Sequence, residues 1–222
     1  MNTVDKRALR AALSVYLVIG SAHCKGRPLL EVVAAALRGG VTMVQFREKD
    51  SPLSLRETVA LGRALRERCR QFGVPFIVND RVDLALLLDA DGVHVGQEDL
   101  PPSEARKLLG PGRIVGMSVS TPEELDVALR EEPDYLGVGP VYATTSKADA
   151  GDPVGTELVA YVRSRTDLPL VGIGGIAPEN AAAVIAAGAD GVAVVSAIGS
   201  ASDPEAAARA LARAVRGHQA GV

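Results

Sequence analysis

The sequence predicts an α/β fold, a single-domain (β/α)8 TIM barrel over residues 1–222. Three observations predict it. Eight short Val/Ile-rich runs alternate with longer Ala/Leu/Arg segments, and strict β/α alternation implies parallel strands joined by helical crossovers. The chain has 222 residues and is 47% hydrophobic, enough for one substantial core of this type. The turn after the first run, GSAHCKG, lacks the Gly-rich pattern that an open doubly wound sheet carries there.

The strands are expected at 15–20 (VYLVIG), 42–47 (TMVQFR), 75–79 (PFIVN), 92–96 (GVHVG), 113–119 (RIVGMSV), 135–141 (YLGVGPV), 169–175 (PLVGIGG) and 191–197 (GVAVVSA). Residues 1 to about 13 precede the first strand as a short leader; it carries an acid and no long apolar run, unlike a signal peptide. Residues 55–72 place Leu55, Val59, Gly62, Leu65, Cys69 and Phe72 at helical spacing, behind a Ser54/Glu57 capping box. Thr121 and Glu124 repeat that device, with Pro122 at the first helical position. A helix is expected over 82–88, and Asp203 and Pro204 open another at 204–216. Gly39, Gly110 and Gly188 read as helix stops. DADGVHVG (89–96) and GADGVAVV (188–195) echo each other as a repeated helix-to-strand joint with Gly at the close approach.

The net charge of −3, without a basic block, argues against nucleic acid as a partner, and 3% aromatics with no Trp argues against a base-stacking surface. No window reaches the roughly 18 apolar residues of a membrane span. Cys24 and Cys69 lack metal-ligand spacing, and Cys69 falls on an apolar helical stripe; together they suggest a reducing, cytoplasmic setting.

In a barrel of this kind the site lies at the carboxyl ends of the strands. There the second run reads VQFREKD, and strand alternation directs Gln45, Arg47 and Lys49 to one surface, a grip for something polar and negative. The third run ends in Asn79 and Asp80, the fourth leads to Gln97, Glu98 and Asp99, and the fifth ends with Ser118 and Ser120. Two carboxylates from neighbouring units, completed by water and phosphate oxygens, suit Mg²⁺; the competing reading is that each acid caps the helix that follows. Arg47, Lys49 and Lys147 supply charge for a pyrophosphate that the metal also clamps. Gly174 and Gly175 in GIGGI and Ser196 in VVSAIG occupy the loops where this fold binds phosphate through backbone N–H groups, as a tight turn and a small packing residue also would. His94 reads as a hydrogen-bonded core histidine rather than a base. Tyr16 is expected to face the barrel axis, where its ring is a candidate surface for a substrate.

The segments QFREKD, VNDRVDLAL, DGVHVGQEDLP, GMSVST, YLGVGPVYATTSKADAGDPVG, VGIGGI and GADGVAVVSAI, in order from about residue 15 to 200, together resemble the thiamine-phosphate synthase family. The resemblance implies a Mg²⁺-dependent transferase joining 4-amino-2-methyl-5-hydroxymethylpyrimidine diphosphate to thiazole phosphate, with release of pyrophosphate. It assigns Gln45, Arg47 and Lys49 to the pyrimidine diphosphate, Asn79 to the pyrimidine, and Asp80 and Asp99 to the metal. It assigns Ser118 and Lys147 to the diphosphate, and Thr144, Ser146, Gly175, Val195 and Ser196 to the thiazole phosphate. Arg47, Lys49, Lys147 and Ser118 are then the catalytic set. The sequence departs from the family's pattern with Ser146 for a threonine, Ala143 for a proline, and an unusual first loop from Gly20 to Gly26. Two rivals share the fold: a thiazole tautomerase-like isomerase and a non-enzymatic binder of thiamine intermediates. The long sixth loop, 142–155, is expected to act as a lid.

Overall fold

The computed structural model describes residues 4–49, 51–146 and 151–219. The chain runs α1 (Lys6–Ala12), β1 (Val15–Ile19), a 3-10 turn (Ser21–Cys24), α2 (Leu29–Arg38), β2 (Met43–Phe46), α3 (Leu55–Gln71), β3 (Phe76–Asn79) and α4 (Val82–Leu87). It continues β4 (Gly92–Val95), α5 (Pro102–Leu109), β5 (Ile114–Val119), α6 (Pro122–Glu131), β6 (Tyr135–Val138) and α7 (Gly155–Arg165). It ends β7 (Leu170–Ile173), α8 (Ala181–Ala186), β8 (Gly191–Val194), α9 (Ser196–Gly199) and α10 (Pro204–Gln219). Each strand pairs in parallel with the next, and β8 closes on β1.

Strand alternation divides the core in two. Val15, Leu17 and Ile19 face outward into the layer between sheet and helices, together with Val44, Phe46, Phe76 and Val78. Tyr16, Val18, Met43, Ile77 and Tyr135 face the barrel axis. The leader is more than a leader: Asp5 caps α1, and Leu9 and Leu13 join the axial cluster, sealing the amino-terminal end of the barrel.

All eight expected strands are present, and several are shorter. β6 ends at Val138 because Pro140 has no N–H to extend the ladder. β7 ends at Ile173, where Gly174 turns to φ 96°. β8 ends at Val194, so Val195 lies past the strand and Ser196 opens α9. The Ser54/Glu57 capping box forms as expected. On α3 the buried line is Thr58, Gly62, Leu65 and Cys69, whereas Leu55 and Phe72 are exposed because the helix ends overhang the sheet. Thr121 accepts from Glu124 N–H, but the Glu124 carboxylate turns to the N–H of Ser120. Gly39 ends α2 in a right-handed conformation, and Gly40 makes the left-handed turn.

The repeated Ala-Asp-Gly-Val joint has a physical cause. Asp91 accepts from the N–H of Phe76 at 2.8 Å, and Asp190 from that of Leu170 at 2.8 Å, so each acid ties down the start of the preceding strand. A Cβ on Gly92 or Gly191 would stand 2.0 Å from the carbonyl oxygen of Ile114 or Leu13, which restricts both positions to glycine. Asp190 also pairs with Arg10 and Arg163, binding α1 and α7 to the same joint. Asp190→Ala should therefore destabilise the fold by about 2–4 kcal/mol, since it takes the carboxylate partner from two guanidiniums and the acceptor from a strand N–H. Leu86→Ala, at a half-exposed side chain, should stay within about 0.5 kcal/mol. Urea denaturation of both variants checks the contrast.

Candidate active site at the carboxyl ends of the strands

A cleft of about 540 Å³ opens at the carboxyl ends of the strands. Arg47, Lys49, Asn79, Asp80, Asp99 and Ser118 line one side, and Thr144, Ser146, Gly175, Val195 and Ser196 the other. The closed topology brings them together: each strand end delivers one short stretch to a common rim.

Asp80 directly follows β3 in the left-handed region, at φ 60°, and its N–H donates to the carbonyl of His94 at 2.8 Å. That conformation, unusual for a residue with a Cβ, turns the carboxylate across to the next loop. Asp99 is fixed by the N–H of Gly96, which donates to its Oδ2 at 2.7 Å. The two carboxyl groups meet. Burial, and then the facing Asp99, push Asp80 up to about 6, against the opposing pull of Lys49 and Asn79. The Lys49 ammonium stands 3.6 Å from Asp80 Oδ2. Neither acid caps a helix: the residues before α4 and α5 are Arg81 and Pro101, without a side-chain capping bond. Among the described residues no group of three or more His, Cys, Asp or Glu side chains could hold a metal. A cation here would take two carboxylates and fill its remaining positions from water or substrate, as Mg²⁺ commonly does.

Arg47 extends the edge of β2, its N–H donating to the Ile19 carbonyl at 2.9 Å, and it is buried while still lining the cleft. Lys49 is exposed beside it. Gln45 does not share their surface. It is 2% exposed and absent from the cleft wall, and its amide nitrogen donates to the Tyr16 hydroxyl at 2.8 Å. The reason is register: Gln45 lies between Val18 and Ile77, one layer below the rim in the axial core. Tyr16 does face the axis, but it is 1% exposed against Tyr135, which leaves its ring no surface for a substrate. His94 is hydrogen-bonded as expected, to Tyr135 and to Ser118 Oγ, and it also lines the cleft.

The opposite side is rich in hydroxyls. Ser146 Oγ donates to Ser196 Oγ at 2.9 Å, and Ser146 N–H donates to Thr144 Oγ1 at 3.2 Å. Gly175 has φ 64°, and a Cβ there would lie 2.6 Å from the Ala143 carbonyl oxygen and 2.7 Å from Tyr142 Cβ. Loops six and seven thus pack backbone to backbone at this point. Lys147 lies outside the described residues, as does part of the expected lid.

Three contributors to the site were not singled out for it by sequence reasoning. Glu124 lines the cleft, and the capping motif gave it a different partner. In loop one, His23 accepts from Gly20 N–H at 3.0 Å, while Glu48 accepts from the N–H and hydroxyl of Ser21 at 3.0 and 3.1 Å. Burial and the neighbouring Arg47 guanidinium hold His23 below the usual imidazole range, although a bond to the Ser146 backbone opposes them. Loop one therefore holds Glu48, next to Arg47 in the chain, and reaches loop six at Ser146.

The family model described as thiamine monophosphate synthase matches residues 15–198. A thiamine-phosphate synthase of Moorella thermoacetica is 55% identical over 201 residues, covering 90% of this chain and 95% of that protein. One of Geobacillus thermodenitrificans is 48% identical over 218 residues, covering 97% and 98%. The solved thiamine phosphate pyrophosphorylase of Pyrococcus furiosus superposes with a TM-score of 0.85 at 38% identity, covering 95% of this chain and 98% of that one. Agreement of this extent, from the first strand to α9, places the chain in the thiamine-phosphate synthase family.

Proposed function

We propose that the cleft binds hydroxymethylpyrimidine diphosphate on its acid-and-cation side and thiazole phosphate on its hydroxyl side. The synthase activity, a transferase step of thiamine biosynthesis, follows from family membership; the placement of the two substrates and the metal is the proposal. The observation that carries it is the Asp80–Asp99 contact beside Arg47 and Lys49, across the cleft from Ser146 and Ser196.

Asp80 and Asp99 would hold Mg²⁺, which when bound neutralises charge on the diphosphate. Arg47 and Lys49 stand beside the same charge, Ser118 contributes a hydroxyl, and the family resemblance assigns Lys147 to the diphosphate as well. The bond between the pyrimidine methylene and the diphosphate oxygen breaks, and its electron pair leaves with pyrophosphate. Ring donation stabilises the pyrimidinyl cation, with Asn79 positioned for the ring. The thiazole nitrogen lone pair then forms the new C–N bond, while Thr144, Ser146, Gly175, Val195 and Ser196 hold the thiazole phosphate. No proton has to leave the nucleophile, so the residues work by positioning and electrostatics. An isomerase acting on the thiazole, or a non-enzymatic binder, would have no use for the acid pair and its cations.

Asp99→Ala should lower the rate of thiamine phosphate formation about a hundredfold or more with the fold intact. Chelating the metal from the wild type should do the same. Chromatographic assay with both substrates measures this, and full turnover in excess chelator would sink the metal assignment.

Arg47→Ala should weaken pyrimidine diphosphate binding about 30-fold or more and leave thiazole phosphate nearly unchanged. Ser196→Ala should do the reverse, by about 3- to 10-fold, because backbone donors remain. Titration calorimetry separates the two ligands; equal losses for both in both variants would refute the two-sided layout.

A further inference from the structure

A polar chain runs from beneath the cleft into its wall. Gln45 Nε2 donates to the Tyr16 hydroxyl at 2.8 Å, and the Tyr16 and Tyr135 hydroxyls are 2.8 Å apart. Tyr135 OH lies 2.9 Å from His94 Nδ1, and His94 Nε2 lies 2.9 Å from Ser118 Oγ. Gln45, Tyr16 and Tyr135 are each at most 2% exposed, whereas His94 and Ser118 border the cleft. Glycines keep the rings in line: a Cβ on Gly116 would fall 2.2 Å from Tyr135 Cζ and 2.6 Å from His94 Nδ1.

The direction of this chain follows from counting hydrogens. An amide nitrogen only donates, and each phenol has one hydrogen. Among the described residues neither phenol has a third partner. Tyr16 receives from Gln45, so its own hydrogen goes to Tyr135. Tyr135 then has only His94 Nδ1 to donate to, which makes Nδ1 an acceptor and leaves the imidazole proton on Nε2. An imidazolium, or the other tautomer, would leave a buried phenolic hydrogen without an acceptor, which is unfavourable. Burial raises both phenols well above the ordinary tyrosine value, so both hydrogens stay in place. His94 Nε2–H therefore donates to Ser118 Oγ, and the serine hydrogen is left to point into the cleft.

We infer that Gln45, Tyr16, Tyr135 and His94 are positioning residues that make Ser118 an obligatory hydrogen-bond donor to the anionic leaving group. The inference deepens the proposed function and rests on its placement of the diphosphate beside Ser118. It gives Gln45 a role that its depth below the cleft allows. A donor fixed in advance toward developing negative charge needs no reorganisation as the bond breaks, so its effect falls on kcat more than on KM.

Two measurements test it. The first is long-range ¹H–¹⁵N correlation of the histidine rings in substrate-free wild type, where His94 is one of three histidines and His94→Gln assigns its signals. The expected result is protonated Nε2 and bare Nδ1; the opposite tautomer, or an imidazolium at neutral pH, overturns the inference. This reading is decided whether or not the proposed substrates are correct. The second is a double-mutant cycle. Tyr135→Phe releases the tautomer and should lower kcat about tenfold with KM little changed, and it should cost nothing further in a Ser118→Ala background. The same loss in both backgrounds, or no loss in either, would show that Tyr135 does not act through Ser118.

Discussion

The site depends on two carboxylates held against each other. Like charges in contact are unfavourable, and here the unfavourable term is built in by backbone geometry: the left-handed turn at Asp80 and the Gly96 N–H clamp on Asp99. The rise of Asp80 to about 6 comes first from burial and then from the facing Asp99. Lys49 at 3.6 Å offsets it only in part. A pair of this kind is poised to gain a cation, and Arg47 and Lys49 beside it are poised to gain an anion. The proposed Mg²⁺ and diphosphate answer both needs at once, each improving the site for the other.

The barrel supplies the rigidity that such an arrangement needs. Closure of β8 on β1 puts every strand end on one rim, and the Asp91 and Asp190 joints fix where their neighbouring strands begin. Below the rim the axial core is not purely apolar. Gln45, Tyr16, Tyr135 and His94 form a hydrogen-bonded layer with no buried side-chain polar atom unsatisfied among the described residues. A satisfied buried network is rigid, and its upper end is Ser118. The hydroxyl side of the cleft is assembled differently, from loops six, seven and eight packed against one another at Gly175 and Ser146.

Much of this was legible in the sequence. The strands were, because short Val/Ile runs alternate with longer amphipathic segments; the capping box at Ser54 and Glu57 was, because its spacing is local. Asp80 and Asp99 were legible as partners because adjacent βα units end at adjacent points of the rim. Gln45 was misplaced because alternation gives the face of a strand but not the height along the barrel, which the pairing with Val18 and Ile77 sets. Ser196 was drawn on a strand because the apolar run before it continues into small residues without a Pro or Asn/Asp turn signal, whereas the chain turns into α9 after Val195. The α1 plug was missed because seven residues carry too little periodicity to signal a helix. The polar chain was invisible for another reason: its members come from β1, β2, β4, β5 and β6, and only barrel closure brings them into line.

The central claim is that the acid pair and the cations form one site whose two ligands support each other. Titration calorimetry of inorganic pyrophosphate into the wild-type protein, with and without saturating Mg²⁺, tests it most directly. Binding should be at least about tenfold tighter with the metal, a gap of about 1.4 kcal/mol, and that gap should be lost in Asp80→Asn. Equal affinity in the two buffers, or a metal dependence that survives in Asp80→Asn, would contradict it.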